Sequence, residues 1–249
     1  MEITAVTNNL VKETVKLQQR KYRDLTGKFI LEGFKAIDEA YHAGIELEHV
    51  FVLKEKSENY NFLQDKIILT NEAVLKKIST TDTPPEAVGI AFQRHYAMDD
   101  LKDTKKVVLL ENIRDLGNLG TILRTSAAFW ADAVVLYGDC VDIYNPKCVR
   151  ASVGNLWKIP VVNIKHFEDL KNVFQNYKRI ATLPRARTLL KDFKTDFPVV
   201  VMFGSEADGL SEELQRFATS SVKIEMTENV ESLNLSVSCA VVLYKIFIV

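Results

Sequence analysis

The 249-residue chain is long enough for one large or two smaller domains with an ample core. Its formal net charge of −1 excludes a uniformly basic nucleic-acid binder and leaves only local patches for any polyanion. Cys140, Cys148 and Cys239 form no C-x-x-C pair, and His42, His49, His95 and His166 fall without ligand spacing, so a reducing compartment and no metal are expected.

Apolar periodicity predicts a basic amphipathic helix from about Asn8 to Leu25, a strand at Phe29 to Leu31 and a helix from Gly33 to about Ala43. Strands follow at Val50 to Leu53, Lys66 to Leu69 and Gly89 to Gln93, with a helix from Asn71 to Ile78. In the first helix and just after it, Lys12, Lys16, Arg20, Lys21, Arg23 and Lys28 face only Glu13 and Asp24, which leaves a local excess of positive charge. Taken by itself, such a run is a solvated helix face or a local patch for a polyanion. The charged stretch from His95 to Lys106 breaks the apolar pattern. It reads as a linker over residues 96–106, between a small α/β domain over 1–95 and a larger one over 107–249.

Beyond the linker, strands are expected near Val107 to Leu110, Ala133 to Tyr137, Pro160 to Asn163, Arg179 to Thr182, Val199 to Phe203 and Val222 to Ile224, mostly separated by helices. That alternation argues an α/β fold with a covered, mostly parallel sheet. The last helix, from Leu233 to about Ile248, carries Val237, Ala240, Val241, Leu243 and Ile246 almost all round. It needs burial by its own sheet and by a partner subunit. The apolar stretch Val237 to Val249 is too short for a membrane span and is interrupted by Lys245, and M-E-I-T-A-V lacks the order of a secretion signal. A soluble cytoplasmic protein with no membrane contact is the expectation.

Three loops at strand ends carry polar residues that packing does not require. Glu111 to Thr125 reads E-N-I-R-D-L-G-N-L-G-T-I-L-R-T, with Gly117 and Gly120 free to approach other backbone and Asn118 able to cap a helix beginning near Leu119. Its G-x-x-G lacks the spacing of a dinucleotide loop, and no Gly-Lys-Ser/Thr follows to make a phosphate loop. Arg124 offers a guanidinium for phosphate or for polarising a hydroxyl. The second loop, F-G-S-E-A-D-G-L at Phe203 to Leu210, follows an apolar strand; the third, M-T-E-N-V-E-S-L-N at Met226 to Asn234, precedes the last helix. Each could be a simple capped turn, and carboxyl ends of open α/β sheets are also where ligands bind.

Taken in order, these loops resemble the three motifs of the SpoU family of RNA ribose 2′-O-methyltransferases in the SPOUT superfamily. The matches are N-x-R-D-x-G-N-x-G-x-I-x-R-T at Asn112 to Thr125, G-x-E-x-x-G-L at Gly204 to Leu210 and V-x-S-L-N at Val230 to Asn234. V-R-A-S-V-G-N-L-W at Val149 to Trp157 looks like the family's R-A-S-x-G segment, and K-F-I-L-E-G-F-K-A-I-D-E-A at Lys28 to Ala40 is similar to the start of its small RNA-binding domain.

The resemblance implies S-adenosylmethionine bound in a deep trefoil knot of the C-terminal loops, a homodimer whose sites are completed by the neighbouring subunit, and RNA as substrate. Ribosomal RNA is favoured over transfer RNA. By the same resemblance Thr182, Leu183, Gly204, Ile224, Met226 and Leu233 cradle the donor. Asn118, Arg124, Glu206, Ser232 and Asn234 form the active site, Arg150 is a basic RNA-contacting position, and the basic run Lys12, Lys16, Arg20, Lys21, Arg23 and Lys28 is a surface that tracks an RNA backbone. Arg124 would engage an RNA phosphate and polarise the 2′-hydroxyl rather than deprotonate it, because a guanidinium is a poor base in water. Two positions depart from the family's I-P-M-x-G-x-V: Glu225 stands at the proline and Glu228 at the glycine, while Asn155 replaces a commonly small residue. An RNA-binding protein that keeps the fold without the activity is therefore the alternative.

Overall fold

The computed structural model describes residues 1–227 and 229–249, so Glu228 lies outside the described residues. The chain divides into two compact units: Met1–Arg94 with Asp142–Trp157, and His95–Val141 with Lys158–Val249.

The first unit begins with helices α1 (Asn9–Lys16) and α2 (Arg20–Thr26), where the sequence suggested one continuous helix. The break at Leu17–Gln19 has a physical cause. The buried Arg23 guanidinium donates to the Leu17 and Gln18 carbonyls at 2.9 and 3.0 Å, and Gln18 Nε2 donates to the Ile78 and Ser79 carbonyls at 3.1 and 3.2 Å. The turn's backbone acceptors are thus satisfied outside a helix. Strand β1 (Lys28–Glu32), α3 (Phe34–His42), β2 (Leu47–Leu53), β3 (Ile67–Thr70), α4 (Glu72–Ile78) and β4 (Ala87–Phe92) complete the N-terminal part. The sheet order is β1-β4-β2-β3, antiparallel except for the β2–β3 pair. One face packs Val11 and Leu17 against Ile30, Phe51, Ile68, Leu75 and Ile90.

Residues Asp142–Trp157, assigned by sequence to the C-terminal domain, belong to this first unit. Asp142 accepts from Arg23 Nε at 2.7 Å, and Phe29 packs on Tyr144 and Trp157 with ring centroids 4.7 and 5.8 Å apart. The Tyr144 hydroxyl accepts from the Arg94 N–H at 2.9 Å. The contacts that claim this segment are remote in sequence and leave no local periodicity.

The second unit is a seven-stranded parallel sheet in the order β7-β6-β5-β10-β8-β11-β9. Its strands are β5 (Lys106–Glu111), β6 (Ala133–Tyr137), β7 (Val161–Ile164), β8 (Lys178–Thr182), β9 (Thr188–Leu189), β10 (Val199–Phe203) and β11 (Ser220–Lys223). The runs V-V-L-L, A-V-V-L-Y and V-V-V-M-F are buried residue after residue, as strands covered on both faces must be. The two-residue β9 escaped the sequence reading because it is too short to show a period. Helix α5 (Leu116–Ala128) follows β5, and the chain closes with the helix Leu235–Phe247, which contacts α5. Among the described residues no helix is long and apolar enough to cross a membrane.

Candidate active site

The strand order explains where the motif loops meet. From β5 the chain moves outward through β6 to β7, then returns to place β10 on the other side of β5, with Phe203 in register with Leu110. Ligands of open α/β sheets bind at such reversals, beyond the carboxyl ends of the strands. The first motif leaves β5 and the second leaves β10, so neighbouring strands deliver both to one edge. The next strands outward, β8 and β11, bring Thr182–Leu183 and Ile224–Met226 to the same edge.

Within the first motif most polar residues build the turn. Glu111 is buried and accepts from the Ser211 N–H at 2.7 Å, and Asn112 Oδ1 accepts from the Asp139 N–H at 2.8 Å. The cap of α5 is Asp115, whose Oδ1 accepts from the Asn118 N–H at 2.7 Å. The expectation of Asn118 as cap is corrected: the helix begins a turn earlier, and the Asn118 side chain is released for another use.

That use is a chain of amides. Asn234 caps the C-terminal helix, its Oδ1 accepting from the Ser236 N–H at 2.9 Å and from Ser236 Oγ at 2.7 Å. Because a backbone N–H only donates, Asn234 Nδ2 must point the other way, and it donates to Asn118 Oδ1 at 3.0 Å. Asn118 Nδ2 then donates to Glu206 Oε1 at 2.9 Å. Three motifs far apart in sequence thus share one hydrogen-bond relay whose direction is set at the helix cap.

Glu206 is held at the tip of a closed loop. Ser205 and Gly209 exchange backbone hydrogen bonds of 3.2 and 3.0 Å, and a Cβ on Gly204 would come within 1.9–2.1 Å of Gly209 and Leu210 backbone atoms. Only glycine fits there. Beside this loop opens a cavity of about 1320 Å³, lined by Thr182, Leu183, Gly204, Ile224, Met226 and Leu233 together with Glu206, Ser232 and Asn234. The Thr182 hydroxyl donates to the Met202 carbonyl at 2.8 Å, leaving its backbone and methyl group for the cavity. Ser232 keeps an unpartnered hydroxyl among the described residues. Glu225 is not part of the lining; it is exposed and pairs with Lys191 at 2.5 Å, where carboxylate contact holds the Lys191 ammonium above its ordinary pKa. Under the sheet edge, burial and a bond to Glu213 push the Tyr137 phenol up to about 12.

Arg124 is not brought to this relay. It is exposed on α5, outside the cavity lining and without a partner among the described residues. The structure adds two residues that sequence reasoning passed over, Arg185 and Arg187, which line the cavity and are exposed. Their signal was present as a basic pair just past the end of a strand.

In the first unit the basic residues separate into two groups. Lys12, Arg20 and Lys21 are exposed, Arg20 facing Asp24 at 3.6 Å, and Lys16 pairs with Glu13 at 2.7 Å. Lys28 pairs with Glu48 at 2.6 Å. Arg23, expected on the RNA-facing surface, is 1 % exposed and ion-paired to Asp142, so it is a core residue. Arg150 is committed to Glu32 and Thr80. Among the described residues no cluster of His, Cys, Asp and Glu could hold a metal.

Comparison with known proteins agrees with this architecture. The SpoU rRNA Methylase family matches residues 105–244, and the MRM3-like substrate binding domain matches residues 8–89. The chain is 32 % identical, over 98 % of its length and 92 % of the relative's, to a Synechocystis protein named as an uncharacterized tRNA/rRNA methyltransferase. It is 26 % identical to the 23S rRNA (guanosine(2553)-2′-O)-methyltransferase of Bacillus subtilis, over 98 % of both chains. An AdoMet-bound rRNA methyltransferase from Sinorhizobium meliloti superposes with a TM-score of 0.89 at 30 % identity, covering 98 % of this chain and 96 % of that one. The α/β fold with its parallel sheet is therefore that of the SPOUT methyltransferases. The chain belongs to the SpoU rRNA methylase family, whose members use S-adenosylmethionine.

Proposed function

We propose that this protein transfers a methyl group from S-adenosylmethionine to a ribose 2′-hydroxyl of ribosomal RNA. The observation that carries the reading is the relay Asn234–Asn118–Glu206 at the mouth of a cavity that all six expected donor-binding residues line. Those six fit the donor: apolar Leu183, Ile224, Met226 and Leu233 suit an adenine face, and Gly204 lets the Ser205–Gly209 loop close tightly beside the cavity. When bound, S-adenosylmethionine supplies an electrophilic methyl on a sulfonium.

The residues of the chain supply orientation. With Asn234 Oδ1 occupied by the helix cap, the groups left to face a ribose are the remaining Asn118 and Asn234 amide hydrogens, the Ser232 hydroxyl and the free lone pairs of Glu206. Donors and acceptors are thus both present for a hydroxyl that must lose its proton as the C–O bond forms. Arg124 completes the reaction in a neighbouring subunit, engaging the adjacent phosphate and polarising the hydroxyl. Its exposure and lack of partners support that role. Exposed Val237, Val241, Tyr244 and Ile248, spaced four, three and four along the C-terminal helix, support a homodimer.

The reading includes a deep trefoil knot in the C-terminal loops, which the out-of-sequence order β10-β8-β11-β9 supports. Ribosomal RNA is preferred to transfer RNA because several relatives are named as rRNA methyltransferases, and the bacterial relatives among them support a cytoplasmic setting. The position of Glu225 outside the cavity lining supports an active enzyme over an inactive RNA binder. Calorimetric titration with S-adenosylmethionine tests the choice: saturable binding, one molecule per chain, is expected. A protein that binds RNA but not the donor would fit the inactive alternative.

A further inference from the structure

We propose that Arg185 and Arg187 form a phosphate clamp at the mouth of the cavity, gripping the RNA backbone next to the target nucleotide; this rests on the methyltransferase reading above. The two lie in the turn between β8 and β9, flanking Ala186, which is buried at 5 % exposure. The turn is tied down at both ends. The Leu183 N–H donates to the Val222 carbonyl at 3.0 Å, the Ala186 N–H donates to the Leu183 carbonyl at 3.1 Å, and Thr188 pairs in register with Val222 of β11. Two guanidiniums are therefore carried on an ordered backbone, both lining the cavity and both exposed.

Neither has a hydrogen-bond or ion-pair partner among the described residues, although carboxylates line the same cavity. Glu206 is engaged by Asn118, and the Asp208 carboxylate is turned into its own loop, where Oδ2 accepts from the Ser205 hydroxyl at 3.4 Å; Glu231 is exposed on the loop before the last helix. Adjacent Glu225 is paired with Lys191 instead. Two unsatisfied positive charges on one cavity wall, two residues apart, are matched by an anion with several oxygens, which the planar guanidinium fork engages bidentately. A phosphodiester arriving with the target ribose is such an anion, so the pair acts as positioning residues that place the ribose over the relay.

The test compares wild type with Arg185→Ala/Arg187→Ala and Arg185→Lys/Arg187→Lys. The readouts are methyl transfer to ribosomal RNA from cells lacking the gene, equilibrium binding of a short fluorescein-labelled single-stranded RNA, and donor titration. For the alanine pair, loss of charge-assisted bonds should raise KM for RNA on the order of 10–100-fold with kcat changed by less than about threefold. The slope of log affinity against log salt should fall by about 0.7 per lost phosphate contact, and donor affinity and Tm should hold. The lysine pair should recover part of the KM and most of the salt slope. Unchanged KM and salt slope in the folded alanine variant overturn the proposal, and so does a loss of donor affinity, which would assign the pair to the donor's carboxylate. If the wild type itself transfers no methyl, the methyltransferase reading fails, while the RNA-binding arm still reads the arginines.

Discussion

Asn234 Nδ2 donates to Asn118 Oδ1 across 3.0 Å, so the cap of the C-terminal helix and the third residue of α5 orient each other across 116 positions of chain. Asn118→Ala and Asn234→Ala should each reduce methyl transfer, and the double variant should lose little beyond the worse single one, since both cut one relay. Asn234→Ala should also cost about 1 kcal/mol of stability through the lost cap, whereas Asn118→Ala should not. Asn118→Asp is predicted to be inactive, because its carboxylate would face Glu206 with no hydrogen to donate. Additive losses in the double variant would show that the relay does not act as one element.

Gly204 and Gly209 make a matched pair of tests. Alanine at Gly204 would drive its Cβ into Gly209 and Leu210 backbone atoms, whereas alanine at Gly209 meets nothing within 4 Å and carries only the strain of φ +68°. Gly204→Ala should therefore cost about 1–3 kcal/mol or more and weaken donor binding. Gly209→Ala should cost about 1–2 kcal/mol and leave the donor cavity open. Thermal denaturation with and without donor separates them.

Arg23 has the opposite role to the one its sequence neighbourhood suggests. Arg23 sits in a run of basic residues but is buried against Asp142, so Arg23→Ala should destabilise by about 3–5 kcal/mol. Lys12→Ala and Lys21→Ala, at exposed positions, should stay within about 0.5 kcal/mol of wild type while lowering the salt dependence of RNA binding. Denaturant titration of the three variants checks the ranking.

The fold class was legible because fully buried parallel strands write continuous apolar runs, as in V-V-V-M-F of β10. The motif loops were legible because glycine, asparagine and glutamate cluster at strand ends. The burial of Arg23, the placement of Asp142–Trp157 in the first unit and the true cap of α5 were not legible. Each depends on a partner or a helix start that the local pattern does not mark: Asp142 for Arg23, Phe29 for Tyr144 and Trp157, and Asp115 for the α5 N-terminus. Arg185 and Arg187 were passed over because two charges in a turn look like ordinary solvated surface until the cavity beside them is seen.

For Arg124, exposure without a partner predicts that Arg124→Ala folds with unchanged stability while turnover falls on the order of 10²–10⁴-fold. The proposed action in a neighbouring subunit's site gives a sharper outcome. Mixing the inactive Arg124→Ala and Asn118→Ala proteins under subunit exchange should restore about a quarter of wild-type activity, because half the dimers then hold one intact site. No recovery on mixing would place Arg124 in its own subunit's site.

The central claim, methyl transfer to a ribose 2′-hydroxyl of ribosomal RNA, is tested most directly by mapping 2′-O-methyl nucleotides in ribosomal and transfer RNA from cells with and without the gene. The account predicts a ribosomal position that is methylated with the gene, unmethylated without it, and unmethylated when Asn118→Ala replaces the wild type. Identical ribosomal maps in all three strains would contradict it.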